Sequence, residues 1–128
     1  MNRSELLAQL RDLPAQRRII TALDVPGHRE AVDLASRLGP EGGFVKVGLE
    51  LFSAAGPQVV QDLLDLDRDV FLDLKFHDIP HTVGAAVCAA AELGVWMVNV
   101  HAGGGRRMME AAADALQAFS HRPKLIGV

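Results

Sequence analysis

Residues 68–94 read "RDVFLDLKFHDIPHTVGAAVCAAAELG". From Val70 to Lys75 the side chains alternate: Val70, Leu72 and Leu74 take one face of a strand, and Phe71, Asp73 and Lys75 take the other. Pro80 then opens a small-residue helical run that Gly94 closes. A strand feeding a helix is the unit of a parallel sheet, because parallel strands need a long crossover between them. Asp73 and Lys75 put opposite charges on one face of a strand that otherwise reads as core, and Asp78 stands just beyond its end.

The same unit recurs outward in both directions. Ser4 is placed to cap a leading helix with Leu6, Leu7 and Leu10 on one face. "RIITALDV" (18–25) reads as a strand ending near Asp24. "PGHREAVDLASRLG" (26–39) reads as a helix with Ala31, Leu34, Ala35 and Leu38 inward and Gly39 at its C-terminus. "GFVKVG" (43–48) is a second strand, and "GPQVVQDLLDL" (56–66) is a helix with Pro57 in its first turn. After the central unit, "VWMVNVHAGGG" (95–105) gives a fourth strand and a glycine-rich loop. "RRMMEAAADALQAF" (106–119) gives a helix, and "KLIGV" (124–128) begins a fifth strand.

Alternation of this kind fits either an open doubly wound sheet or a (β/α)₈ TIM barrel. The polar residues separate the two. Asp24, Lys46, the Asp73/Lys75 pair and His101 stand at the C-terminal ends of successive strands. A barrel collects its site from many strand ends, whereas an open sheet concentrates it at one switch point. No Gly-x-Gly-x-x-Gly follows the first strand. The barrel is therefore the expected fold. Such a barrel takes ~200 to 250 residues, so residues 1–128 are expected to be the N-terminal half of a barrel domain: strands one to four with their helices, and the start of strand five. Its first and fifth strands would otherwise present unpaired edges.

With 49% hydrophobic and 23% charged residues the chain has the makeup of a folded domain rather than a disordered one. Its net charge of −3 gives no basic field for nucleic acid or an anionic membrane. No apolar run reaches the ~18 residues of a membrane helix, and the charged, amphipathic start "MNRSELLAQLRDL" is not a signal peptide. The single cysteine, Cys88, lies in a small-residue helix and reads as packing, with no disulfide framework. A reducing, cytoplasmic setting is the expectation.

The charge cluster points to chemistry. Desolvating charge is costly, and one rim salt bridge would need neither Lys46 nor Asp78. A lysine that attacks a carbonyl must be partly neutral, but flanking carboxylates favour the ammonium form. Lys75, between Asp73 and Asp78, is thus suited to deliver a proton or stabilise a developing anion. Lys46 adds a second cation that can hold Asp73 and reach a ligand hydroxyl.

Around these residues, "DLKFHDIP" followed by Thr82 resembles the signature of the orotidine 5'-phosphate decarboxylase family. "ALDV", "FVKVGLELF" and "VNVHAGGG" resemble its flanking segments and occur in its order, covering nearly all the chain from about residue 18. The resemblance implies a homodimeric barrel that converts orotidine 5'-phosphate to uridine 5'-phosphate and carbon dioxide, the last step of de novo UMP synthesis, with no metal and no organic cofactor. It implies Lys75 as proton donor to C6 of the pyrimidine and Asp73 as the carboxylate near the departing carboxyl group. Lys46 would order this array and contact the ribose, and Asp24 would lie near the ribose. Asp78 and Thr82 would enter the partner subunit's site. His81 departs from the asparagine usual in the family, which bears on fine positioning.

Other features read more plainly. His101 has inward parity with Met97 and Asn99, and either lines the site or is structural. "HAGGGRRM" either offers N–H groups to an anion or simply turns the chain. Arg106 and Arg107 read as a solvated helix start, and Met108 and Met109 as packing. His28, His77 and His121 show no metal-ligand spacing. Two rivals stand beside the decarboxylase reading. One is a metal-dependent sugar-phosphate decarboxylase or aldolase of the same barrel group, which shares Asp-x-Lys-x-x-Asp but needs acidic ligands where this chain has Lys46. The other is a non-catalytic half-barrel.

Overall fold

The computed structural model describes the backbone of all 128 residues and every side chain except that of Glu41. Five strands form one parallel sheet in chain order: β1 (Ile20–Ala22), β2 (Phe44–Gly48), β3 (Asp69–Phe76), β4 (Met97–Val100) and β5 (Lys124–Gly127). The helices are α1 (Arg3–Asp12), α2 (His28–Arg37), α3 (Leu49–Ala55), α4 (Gln58–Asp65), α5 (Pro80–Glu92) and α6 (Arg106–Ala115). Order without reversal is the progression of a barrel wall, and an open doubly wound sheet would double back.

The parity read for the third and fourth strands extends across the sheet. Val45, Val47, Val70, Leu72, Val98 and Val100 are buried against Ala31, Ala35, Val59, Val60, Leu63, Val83 and Val87 of the helices. Residues of the other parity, Lys46, Asp73 and Asn99, turn to the opposite face. Buried β-branched residues on the helix-facing side suit a parallel sheet covered by helices. Helices α5 and α6 approach closely through small residues, so that a Cβ added at Gly84 would meet the Ala111 carbonyl oxygen at 3.4 Å. Helices α2 and α5 end as expected at glycines of positive φ, Gly39 (66°) and Gly94 (87°).

Three local features differ from the sequence reading. The N-cap of α1 is Asn2, not Ser4: Asn2 Oδ1 accepts from the Glu5 N–H, and Glu5 Oε2 accepts from the Asn2 N–H, each at 2.9 Å. This reciprocal capping box occupies two otherwise orphaned donors, which Ser4 cannot match because the residue three on from it is Leu7. No residue of α1 is buried, and Leu6, Leu7 and Leu10 are exposed. The segment "LELFSAA" forms α3, a short helix not read from the sequence, with Leu51 buried. Its seven residues directly abut β2, and two turns give too little periodicity to register.

Arg68 locks the start of β3 to the end of α2. Its guanidinium donates to the carbonyls of Ala35 (3.0 Å), Gly39 (2.7 Å) and Gly42 (3.1 Å). A helix C-terminus leaves such carbonyls without intrahelical partners, and the guanidinium fork matches several at once. Arg68→Ala should lower unfolding stability by about 2 kcal/mol, with Arg68→Lys recovering less than half of the loss. Urea unfolding monitored at Trp96 measures this, and an unchanged midpoint would show the clamp to be energetically neutral.

Candidate active site

The charged residues come from three neighbouring strands that run the same way: Asp24 just past the end of β1, Lys46 within β2, and Asp73 and Lys75 in the C-terminal half of β3. The side chains form a continuous chain of ion pairs. Lys46 Nζ lies 3.6 Å from Asp24 Oδ1 and 3.4 Å from Asp73 Oδ2. Lys75 Nζ lies 2.7 Å from Asp73 Oδ1. The Asp73 side chain is only 12% exposed, whereas that of Lys75 is 48% exposed. A fixed, shielded carboxylate therefore holds an ammonium group whose other side faces open space. Gly48 leaves room beside the array: a Cβ there would stand 3.5 Å from Lys46 Nζ.

The backbone under Lys75 is exceptional. Lys75 has φ 49°, in the left-handed region, which costs a non-glycine residue about 1–2 kcal/mol. The pairing of β3 with β4 slips at the same place: Leu72 is opposite Val98, yet Phe76 is opposite Val100. Four residues of advance on one strand thus match two on the other, a bulge that re-aims the chain. Asn99, 1% exposed, spans the irregularity. Its Oδ1 accepts from the Lys75 backbone N–H at 2.9 Å, and its Nδ2 donates to Asp73 Oδ1 at 2.8 Å. Sequence reasoning missed Asn99 as a site residue. Its inward parity was legible, but nothing local marks a partner 24 and 26 residues away.

Burial of Asp73 acts to raise its pKa. The hydrogen bonds from Lys75 and Asn99, the charge of Lys75 and the hydrogen bond from Lys46 outweigh it and hold the carboxyl below its usual range. The site so assembled presents a carboxylate and two cations in a fixed arrangement. It can place negative charge beside a bound group, deliver a proton from Lys75, and stabilise an anion that develops nearby.

The remaining sequence-predicted residues fall as follows. Asp78 does not flank Lys75 as an ion-pair partner; its Oδ1 accepts from the Ile79 N–H at 2.6 Å, and the pair to Lys75 is made by Asp73. The chain turns at the end of β3, which carries the Asp78 carboxylate off the strand face. Asp78 and Thr82, both exposed, line a recess of about 270 Å³ with Lys75 and His77. His81 is exposed and does not cap α5, whose N-terminus has Ile79 at the cap position and Pro80 in the first turn. His101 Nδ1 accepts from the Gly103 N–H at 3.0 Å, and its ring stacks on His77 with centroids 5.0 Å apart. The glycine-rich segment makes a tight 3-10 turn over Ala102–Gly104, and Arg106 pairs with Glu110 in the first turn of α6. A separate recess of about 750 Å³, lined by Leu6, Leu10, Arg17, Phe44, Trp96 and Lys124, lies at the opposite ends of the strands and holds none of this array. Among the described residues, no three His, Cys, Asp or Glu side chains gather as a metal site, and Lys46 Nζ occupies the space between Asp24 and Asp73. Among the described residues, no helix is long and apolar enough to cross a membrane.

Comparison with known proteins agrees with this arrangement. Residues 17–128 match the model of the orotidine 5'-phosphate decarboxylase / HUMPS family. An orotidine 5'-phosphate decarboxylase of Marinomonas sp. (strain MWYL1) is 54% identical over 114 residues, which are 89% of this chain and 48% of that protein. One from Teredinibacter turnerae (strain ATCC 39867 / T7901) is 56% identical over 110 residues, 86% of this chain and 47% of its own length. The crystal structure of orotidine 5'-phosphate decarboxylase from Lactobacillus acidophilus superposes with a TM-score of 0.77 at 42% identity, over 85% of this chain and 51% of that one. The chain thus spans about half the length of the curated relatives it matches, and its five-stranded sheet corresponds to that part of their TIM barrel. The ordered sheet, the strand-end charges and the match across residues 17–128 lead to one conclusion: the chain belongs to the orotidine 5'-phosphate decarboxylase / HUMPS family.

Proposed function

We propose that residues 1–128 supply the catalytic half of a barrel that decarboxylates orotidine 5'-phosphate to uridine 5'-phosphate in pyrimidine biosynthesis, without a metal or organic cofactor. The observation that carries this reading is the Asp24–Lys46–Asp73–Lys75 chain, with the Lys75 ammonium held 2.7 Å from a shielded carboxylate and open on its other side. The bond from C6 to the carboxylate breaks, carbon dioxide leaves, and the electron pair stays on C6. Lys75 gives its proton to C6, and the neutral amine regains a proton from water. Asp73 lies near the departing carboxylate, where its own charge disfavours the bound substrate relative to the transition state. Lys46 orders Asp73 and meets the ribose with Asp24. Asp78 and Thr82 serve the site of the partner subunit in a homodimer; their exposure in one recess supports this assignment. Work on a free nucleotide suits a cytoplasmic enzyme.

The energetic demand is large, because no good electron sink takes the charge left at C6. Very slow reactions require stabilisation toward the upper end of ~8–23 kcal/mol. No single ammonium supplies that, so binding of the remote phosphate must contribute. In barrels of this class the phosphate loops follow strands seven and eight, outside these 128 residues.

The direct test joins residues 1–128 to the C-terminal half of the Marinomonas relative and follows the ultraviolet absorbance change of orotidine 5'-phosphate. Turnover unaffected by EDTA is the expected result. Turnover abolished by EDTA and restored by magnesium would favour the metal-dependent rival. No turnover by a folded chimaera would sink the decarboxylase reading and favour the non-catalytic half-barrel.

A further inference from the structure

Asn99 is the one buried polar side chain of the β4 strand, and both ends of its amide are engaged by the array. We infer that Asn99 is a positioning residue that sets the geometry between Lys75 and Asp73, by holding the left-handed backbone of the one and the carboxylate of the other through a single rigid amide. The inference rests on the decarboxylase reading for its effect on turnover, but not for its effect on the Lys75 backbone.

The chemistry of the two partners fixes the amide's orientation. The Lys75 backbone N–H can only donate, so it requires the Asn99 oxygen. The ionised Asp73 carboxylate can only accept, so it requires the Asn99 NH₂ group. A flipped amide would lose both bonds. The two contacts also address two separate problems. Lys75 occupies a backbone conformation that a non-glycine side chain disfavours, at the point where β3 and β4 slip out of register. Strained backbone of this kind persists where its surroundings over-determine it, and the Asn99 oxygen provides a directional partner for the displaced N–H. Asp73 Oδ1, in turn, takes both the Lys75 ammonium at 2.7 Å and the Asn99 amide at 2.8 Å, while Oδ2 faces Lys46 at 3.4 Å. The neutral amide thus aims the carboxylate without adding a third charge. The asparagine amide offers the donor and the acceptor on one planar group that stays uncharged at every pH.

Aspartate at this position makes a discriminating probe. Protonated, it retains an acceptor for Lys75 and an O–H donor for Asp73. Ionised, it sets two carboxylates against each other and pushes Asp73 out of place. The activity of Asn99→Asp relative to Asn99→Ala should therefore rise as pH falls, a dependence that a purely structural loss would not produce.

The experiment has two arms. In the chimaera, Asn99→Ala should lower kcat by about 100-fold, the cost of a small misplacement of reacting groups, with KM changed by less than about threefold. On the 128-residue chain itself, amide hydrogen exchange followed by NMR should show the Lys75 N–H exchanging about tenfold faster in Asn99→Ala, as for loss of one hydrogen bond, with Leu72 unaffected. If Asn99→Ala does not fold, Asn99→Asp carries both measurements across the pH range. Loss of kcat together with faster Lys75 exchange supports the inference. If the unsubstituted chimaera is inactive, the decarboxylase reading fails, and the exchange arm still decides whether Asn99 holds the Lys75 backbone. Unchanged Lys75 exchange, or a kcat within about twofold of the unsubstituted enzyme, overturns it. So does equal impairment of the alanine and aspartate variants at every pH.

Discussion

Lys75→Ala should lower kcat/KM of the completed barrel by about 10⁴-fold or more, equivalent to about 5.4 kcal/mol of transition-state stabilisation. The substitution removes two contributions together: the proton that C6 must receive, and the cation nearest the charge that develops there. General acid catalysis alone accounts for about 10²–10⁴, and a preorganised electrostatic partner for a further 10²–10³. These effects overlap in a single group, so they do not multiply in full. The loss should fall mainly on kcat, since a charge realised at C6 only during reaction leaves ground-state binding largely unaltered. Lys75→Arg should not rescue the enzyme. Arginine keeps the positive charge, but its planar fork does not occupy the place of a compact ammonium and does not give up its proton. Steady-state kinetics on the chimaera provide the measurement, with circular dichroism to establish folding. Retention of kcat/KM within about tenfold by Lys75→Ala would remove Lys75 from the role of proton donor.

Asp73→Asn should lower kcat by about 10³-fold and alter the pH dependence of stability. The carboxylate stands between two cations, Lys75 at 2.7 Å and Lys46 at 3.4 Å. Without it, the two ammonium groups face each other across the site with no intervening negative charge. The electrostatic argument extends to the fold. Despite burial, which opposes ionisation, the hydrogen bonds from Lys75, Asn99 and Lys46 and the charge of Lys75 hold the Asp73 carboxyl below its usual range. A carboxyl with a lower pKa in the folded chain contributes stability above its unfolded pKa of about 3.9. That contribution disappears as pH falls through the lower, folded value. Urea unfolding of the 128-residue chain from pH 7 to pH 3 should therefore show the advantage of the native chain over Asp73→Asn shrinking below about pH 4. A constant difference across that range would mean that the Asp73 ion pairs add nothing to the folded state.

Much of this protein can be read locally. The βα alternation was legible because each unit announces itself within a dozen residues: Val45 and Val47 alternate with Phe44 and Lys46, and helix α5 runs from Pro80 to the stop at Gly94. Strand direction then brings Asp24, Lys46, Asp73 and Lys75 to one edge with no further information. That Asp73 and Lys75 lie on one face was legible from their two-residue spacing along one strand. Helix α3 escaped notice because its seven residues carry too little periodicity, and the α1 cap was misplaced because Ser4 and Asn2 are both competent residues and only the reciprocal bond to Glu5 separates them.

By itself the sequence determined the order of elements, the faces of the third and fourth strands, and the identity of the charges near the strand ends. These depend on neighbours one to four residues apart, where sterics and hydrophobic periodicity act directly. Only the tertiary structure decided that Asp78 leaves Lys75 to Asp73, that β3 slips against β4, that Lys75 adopts φ 49°, and that Asn99 joins the pair. Each of these turns on the register between strands that are distant in sequence. A slip in that register changes which groups meet without altering the pattern along either strand, so no local periodicity encodes it.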